Sequence, residues 1–384
     1  MNNEKKVLIF ANSSWYLYNF WLNNLFLFQS SGYKVILMSN DDGFGAMLKE
    51  QGFEFHALSV SRGVNGLFGD IRLIFKLKTI IKDLNPDIIH NLNPKPVLYG
   101  SILSLLIQTF SNQKKIMIIN SFPGLGRLYS DGFALYSFLR LIFENIYRVI
   151  SKSSQVKSVF QVSSDRDYFL NKKIISRQSS YVIKGSGVDI DNFYSNNKSR
   201  KKNQLRILMA SRITAEKGVH VYLAACRELN IRYSDISFFL AGKTDDNEPD
   251  LISHEELIES CHESGVNYLG HVSNMSELLR TIDIVVLPTN RREGVPRILV
   301  EAAASGVSLI ATNIGGCADI VQHNLNGFII NQNSEEDIVV AIEKFVENNE
   351  LLTQFGLASR EIVRNEMNSK YVASEYINIY KLIN

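Results

Sequence analysis

The chain has 384 residues, 45% hydrophobic and 21% charged, with a formal net charge of +2 at pH 7. That length exceeds one typical core, so two domains of comparable size are expected, and the apolar content supports globular packing. Three scattered cysteines, Cys226, Cys261 and Cys317, fit neither a disulfide framework nor paired metal-ligand spacing, and point to a reducing cytoplasm.

The N-terminus, MNNEKKVLIFANSS, carries an apolar run too short for a signal-peptide core and reads as a first strand over 6–11. An aromatic segment, Trp15 to Trp21 (WYLYNFW), follows it. Further strands are expected at 34–39, 87–92, 115–120 and 158–163, alternating with helical patterns, which predicts a parallel sheet covered by helices. Asn12, Asn19 and His90 then fall at or just after strand C-terminal ends, where open α/β sheets bind ligands. His90, in the run DIIHNL, is a candidate for a ligand-facing position; the competing reading is a buried, hydrogen-bonded histidine.

The longest uncharged apolar run, Pro96 to Phe110, is short of a bilayer span. Phe133 to Val149 has helical spacing, which usually means core; the alternative is a membrane-facing helix whose Arg140 and Arg148 meet lipid phosphates. Asp165-Arg166-Asp167 has the spacing of a metal-chelating pair but begins a helix, so it carries little weight. The polar stretch Ser195 to Gln204 reads as a linker. Its basic part, Lys198 to Lys202, lacks an aromatic platform or a recognised motif, which argues against nucleic acid.

A second series follows: strands at 206–211, 237–242, 266–271, 283–288, 308–312 and 327–330. The fold class is therefore α/β, with two Rossmann-like doubly wound domains, 1–190 and 191–367. An amphipathic tail, 368–384, is expected to pack back on the first. No internal repeat or low-complexity segment is visible.

The stretch Thr289 to Gly306, TNRREGVPRILVEAAASG, has seven residues between Glu293 and Glu301. The strand 283–288 ends at a proline, Gly294 frees the loop, Pro296 suits a first helical turn, and Gly306 stops the helix. The N–H groups of Gly294, Val295 and Arg297 at that N-terminus, with the helix dipole, form a natural anion site.

Glu293 and Glu301 resemble the E-x7-E motif of retaining group 1 glycosyltransferases of the GT-B fold. Leu208 to Gly218, LMASRITAEKG, is similar to that family's strand-to-helix segment, and Gly185 to Phe193 to its GVD-x-x-x-F segment. The resemblance implies a GT-B fold with an interdomain cleft. It implies that Arg212 and Lys217 hold the donor diphosphate, Glu301 the ribose hydroxyls, and Glu293 the transferred sugar. Gly294, Val295, Pro296 and Arg297 meet sugar and phosphate on the same analogy.

Two fixed cations beside a departing diphosphate stabilise growing negative charge and can substitute for a divalent metal, so no metal and no cofactor beyond the UDP-sugar donor is expected. The run Trp15 to Trp21 stands where many relatives carry a glycine-rich phosphate loop. It resembles instead a subgroup acting on lipid-linked oligosaccharides, as does the turn at Gly124. Trp15, Tyr18 and Asn19 are thus candidates for acceptor contact, Asn12 and Gly124 for donor contact, and His90 for a catalytic, sugar-facing position.

Residues 1–190 hold 22 Lys and Arg against 13 Asp and Glu, and residues 191–384 hold 19 against 26. A basic first half suits an anionic acceptor or the acidic cytoplasmic leaflet of an inner membrane. The expected activity is transfer of a hexose or N-acetylhexosamine from a UDP-sugar to an O-antigen, capsule or related glycan intermediate. The alternatives are a sugar-nucleotide epimerase on the same fold and a non-catalytic nucleotide-sugar-binding protein.

Overall fold

Short apolar runs, the central ones buried on both faces, build two parallel sheets, as expected of strands covered by helices on each side. The computed structural model describes residues 4–58, 67–110, 115–129, 134–194, 204–244 and 252–382. The chain divides into two units, Met1–Gly187 with Ser369–Asn384, and Val188–Asn368.

The first unit holds β1 Lys5–Ser13, β2 Tyr33–Asn40, β3 Glu54–Ala57, β4 Ile88–Leu92, β5 Met117–Phe122, β6 Val156–Phe160 and β7 Ser180–Val182. Their spatial order is β3-β2-β1-β4-β5-β6-β7, with every neighbouring pair parallel. The second unit holds β8 Leu205–Ala210, β9 Ile236–Ala241, β10 Val266–Gly270, β11 Ile284–Leu287, β12 Ser308–Thr312 and β13 Gly327–Ile330. They lie in the order β10-β9-β8-β11-β12-β13, again all parallel. In each sheet the winding reverses beside the first strand, between β1 and β4 and between β8 and β11. Loops leaving the carboxyl ends of these strands flank the crevice in which such sheets bind ligands.

Two short edge strands, β3 and β7, were absent from the sequence expectations. The strand expected at 158–163 occupies Val156–Phe160 instead, because Ser163 opens the helix Ser163–Asn171. The boundary expected near residue 190 lies between Gly187 and Val188. Val188 N–H donates to the Met367 carbonyl at 3.0 Å, and the Arg360 guanidinium donates to the carbonyls of Ile190, Phe193 and Ala304. These bonds tie the GVD-x-x-x-F segment to the second unit. The expected linker, Ser195 to Gln204, lies outside the described residues except for Gln204.

The closing helix, Ser369–Tyr380, packs on the helix Leu22–Ser30 of the first unit. Its Val372, Ala373, Tyr376, Ile379 and Tyr380 share one core with Trp21 and Phe28. Among the described residues no helix is long and apolar enough to cross a membrane. All three cysteines are free and buried.

Candidate active site

The switch point of the second sheet assembles the motif residues. After β8 the chain passes exposed Arg212 and makes one tight turn, Ala215–Lys217, before Gly218 and the helix Val219–Arg232. Gly218 has φ 80° and lies against the Pro288 carbonyl, where a Cβ would collide, so only glycine lets the loops after β8 and β11 meet. Asn290 N–H and the Thr289 hydroxyl both donate to the Glu216 carbonyl, at 2.8 and 3.2 Å, and the Arg291 guanidinium reaches the Glu216 carboxylate at 3.2 Å.

This cross-linking delivers Lys217 to Glu293. The ammonium Nζ donates to both carboxylate oxygens, at 2.6 and 2.5 Å, from a side chain 9% exposed to one 24% exposed. Removing one partner of a fully buried pair costs about 3–5 kcal/mol. The cost here is smaller, since Glu293 retains access to water.

A third loop, after β12, supports the arrangement. Gly316 N–H donates to the Glu293 carbonyl at 3.1 Å, and a Cβ on Gly316 would overlap Gly294 and the Val295 nitrogen. The Thr312 hydroxyl donates to the Thr289 carbonyl at 2.6 Å. Pro296, expected inside the first turn, is instead the N-cap of the helix Arg297–Ala304, and its carbonyl accepts from Leu299 and Val300. Leu299, Val300 and Ala302 to Ala304 bury one face of that helix. On the other, Arg297 Nε donates to Glu301 Oε1 at 2.7 Å, fixing a carboxylate that is 15% exposed. Lys217, Glu293, Glu301 and the anion-attracting helix N-terminus thus belong to one connected set of loops.

The other candidates belong to the first unit. Asn12 is the penultimate residue of β1; its N–H donates to Asn93 Oδ1 at 3.5 Å, while its own buried Oδ1 has no hydrogen-bond partner among the described residues. Trp15 is exposed on the turn after β1, with its ring edge on Phe20 at 5.1 Å between centroids. Tyr18 packs on Phe44 at 5.4 Å, and Asn19 donates from its side chain to the Trp15 carbonyl at 2.9 Å. Gly124 lies half-buried after β5. Sequence reasoning missed Asp42, whose carboxylate accepts from the Ser14 hydroxyl at 2.6 Å and the Trp15 N–H at 2.8 Å. An acidic pair just beyond β2, Asp41-Asp42, was the available signal.

His90 requires a correction. It is fully buried in β4, with Nδ1 2.7 Å from the Tyr380 hydroxyl and Nε2 2.7 Å from the Ser121 hydroxyl, and its ring meets Trp21 and Tyr376. Burial lowers its pKa from 6.5 to about 3. It is a neutral core histidine rather than a sugar-facing group. Among the described residues no three His, Cys, Asp or Glu side chains are grouped to hold a metal ion.

The family model for "Glycosyl transferases group 1" matches residues 191–362, and that for "Glycosyl transferase 4-like" matches residues 6–154. The chain belongs to the group 1 glycosyltransferases of the GT-B fold. Among relatives of this glycosyltransferase, the N,N'-diacetylbacillosaminyl-diphospho-undecaprenol alpha-1,3-N-acetylgalactosaminyltransferase of Campylobacter jejuni is 23% identical, over 90% of each chain. The capsular polysaccharide biosynthesis glycosyltransferase CapM of Staphylococcus aureus is 22% identical, over 90% of this chain and 89% of its own. In fold, the transferase is similar to a Rickettsia africae glycosyltransferase, with a TM-score of 0.80 at 20% identity over 99% of both chains. It is also similar to Anabaena Alr3699/HepE solved with UDP and glucose, with a TM-score of 0.75 at 17% identity over 98% of this chain and 99% of that one.

Two outcomes are expected. Gly316→Ala displaces the loop at Val295 and lowers kcat/KM of the transferase by about 10²-fold; steady-state rates equal to wild type would show that the loop's position does not matter. For His90, the unfolded chain binds a proton that the folded chain refuses as pH falls from 6.5 toward about 3, so stability is lost in that window. In denaturant titrations across it, His90→Gln shows a pH slope shallower by about 1.4 kcal/mol per unit. An unchanged slope would contradict the buried neutral state.

Proposed function

We propose that this glycosyltransferase moves a hexose or N-acetylhexosamine from a UDP-sugar to a lipid-linked O-antigen, capsule or related bacterial surface-glycan intermediate, with retention of anomeric configuration and no metal ion. The observation that carries the reading is the part-buried contact of Lys217 with Glu293, which joins the cationic loop after β8 to the E-x7-E loop after β11. The names of the Campylobacter and Staphylococcus relatives, and the UDP and glucose bound by the Anabaena protein, support the choice of acceptor and donor classes.

As the bond from the anomeric carbon to the diphosphate breaks, negative charge collects on the leaving phosphate. Lys217 supplies a compact positive charge to it and Arg212 a planar fork of donors. Glu293, released from part of its contact with Lys217, accepts a hydroxyl of the transferred sugar. Glu301, oriented by Arg297, accepts from the ribose hydroxyls. The acceptor hydroxyl attacks on the face the diphosphate leaves and passes its proton to the departing phosphate oxygen. No enzyme nucleophile is consumed in this scheme. The surplus of cations in the first half of the chain draws an anionic acceptor and the leaflet that carries it.

Purified protein incubated with radiolabelled UDP-sugars and lipid-linked acceptors is expected to label the acceptor, with the product anomer matching the donor and a chelator having no effect. Lys217→Ala and Arg212→Ala each lower turnover by about 10²-fold, and Glu301→Ala chiefly weakens donor binding. Isomerised donor formed without acceptor, strict metal dependence, or wild-type rates in all three variants would overturn the proposal.

A further inference from the structure

We propose that the outer face of the helix Ala134–Ile150 docks the protein on an anionic lipid bilayer. The inference goes beyond the transfer reaction and stands independently of the donor or acceptor used. This helix is apolar on two opposite sides. Phe143, Tyr147 and Ile150 are buried in the core shared with Phe122, Phe160 and Phe169. Leu135, Phe138, Leu141, Ile142 and Val149 form a stripe on the other side at helical spacing, 41% to 70% exposed. A contiguous row of large apolar side chains left in water marks an interaction surface.

Charge selects the occupant. The one acid on the helix, Glu144, is turned inward and accepts from the Tyr168 hydroxyl at 2.8 Å, so the outer face carries no negative side chain of its own. Arg148 flanks the stripe and donates to the Asn145 side chain at 2.6 Å and to the Lys172 carbonyl at 3.3 Å. That second bond brings exposed Lys172 and Lys173 beside the helix's C-terminal end, and exposed Lys152 follows that end directly. Leucine and phenylalanine on one face with a cluster of Arg and Lys beside them is the composition of a helix lying in the headgroup boundary of an acidic membrane. The apolar stripe enters the acyl boundary, while the ammonium and guanidinium groups meet lipid phosphates.

The test is co-sedimentation of the full chain with vesicles of phosphatidylcholine, alone or mixed with phosphatidylglycerol, alongside calorimetric titration with UDP and solution light scattering. The wild type is expected to bind the mixed vesicles, less at high salt, and to remain monomeric. The double variant Phe138→Ser, Leu141→Ser lowers the partition coefficient by about tenfold or more. Lys172→Glu with Lys173→Glu lowers it as well and flattens its salt dependence. Both double variants keep the UDP affinity of the wild type, which shows a folded chain and separates this result from any failure of the transfer reaction. No binding to mixed vesicles, or wild-type partitioning by both variants, would overturn the proposal. So would a dimer that the serine variant dissociates, since the stripe would then join two copies.

Discussion

The contact between Lys217 and Glu293 is the interaction around which the second unit is organised. A lysine with a side chain 9% exposed needs a carboxylate beside it, and the one supplied comes from a different loop. Everything near it serves that meeting. Gly218 lets one loop slide under Pro288, the Glu216 carbonyl gathers Thr289 and Asn290, and Gly316 admits the loop from β12 against Glu293. The pair is held at the switch point of a parallel sheet, next to a helix N-terminus, where such sheets bind ligands.

The first unit uses its polar residues differently. Its centre is an aromatic core in which Trp21, Tyr376 and Tyr380 surround His90 and Phe28 packs on both tyrosines, and the closing helix Ser369–Tyr380 completes that core. Exposed Trp15 and Asn19 lie instead on the turn after β1, where Asp42 fixes Ser14 and the Trp15 backbone. Outside that turn, the helix Ala134–Ile150 carries apolar side chains into water on the face away from its own core.

Much of this was legible in the residues. Buried parallel strands are short apolar β-branched runs, so eleven of the thirteen strands among the described residues could be read from composition and spacing. The two omitted, EFHA in β3 and SYV in β7, are edge strands too short to show a pattern. Glu293 and Glu301 stood out because Gly294, Pro296, Gly306 and a helix start bracket them, and Arg212 and Lys217 because LMASRITAEKG resembles the group 1 strand-to-helix segment. Their pairing did not: Lys217 and Glu293 are 76 residues apart, and only the sheet order brings their loops together. His90 was ambiguous for a related reason. A histidine in an apolar run looks the same whether it faces a ligand or the core, and its partner Tyr380 is 290 residues away.

The most direct measurement is a double-mutant cycle on Lys217→Met and Glu293→Gln, read as kcat/KM for the nucleotide-sugar donor. If the two side chains act as one unit on the leaving diphosphate and the sugar, their effects overlap, and the double variant is less impaired than the sum by about 1 kcal/mol or more. Additivity within about 0.5 kcal/mol would show two independent residues and contradict the central role of the pair.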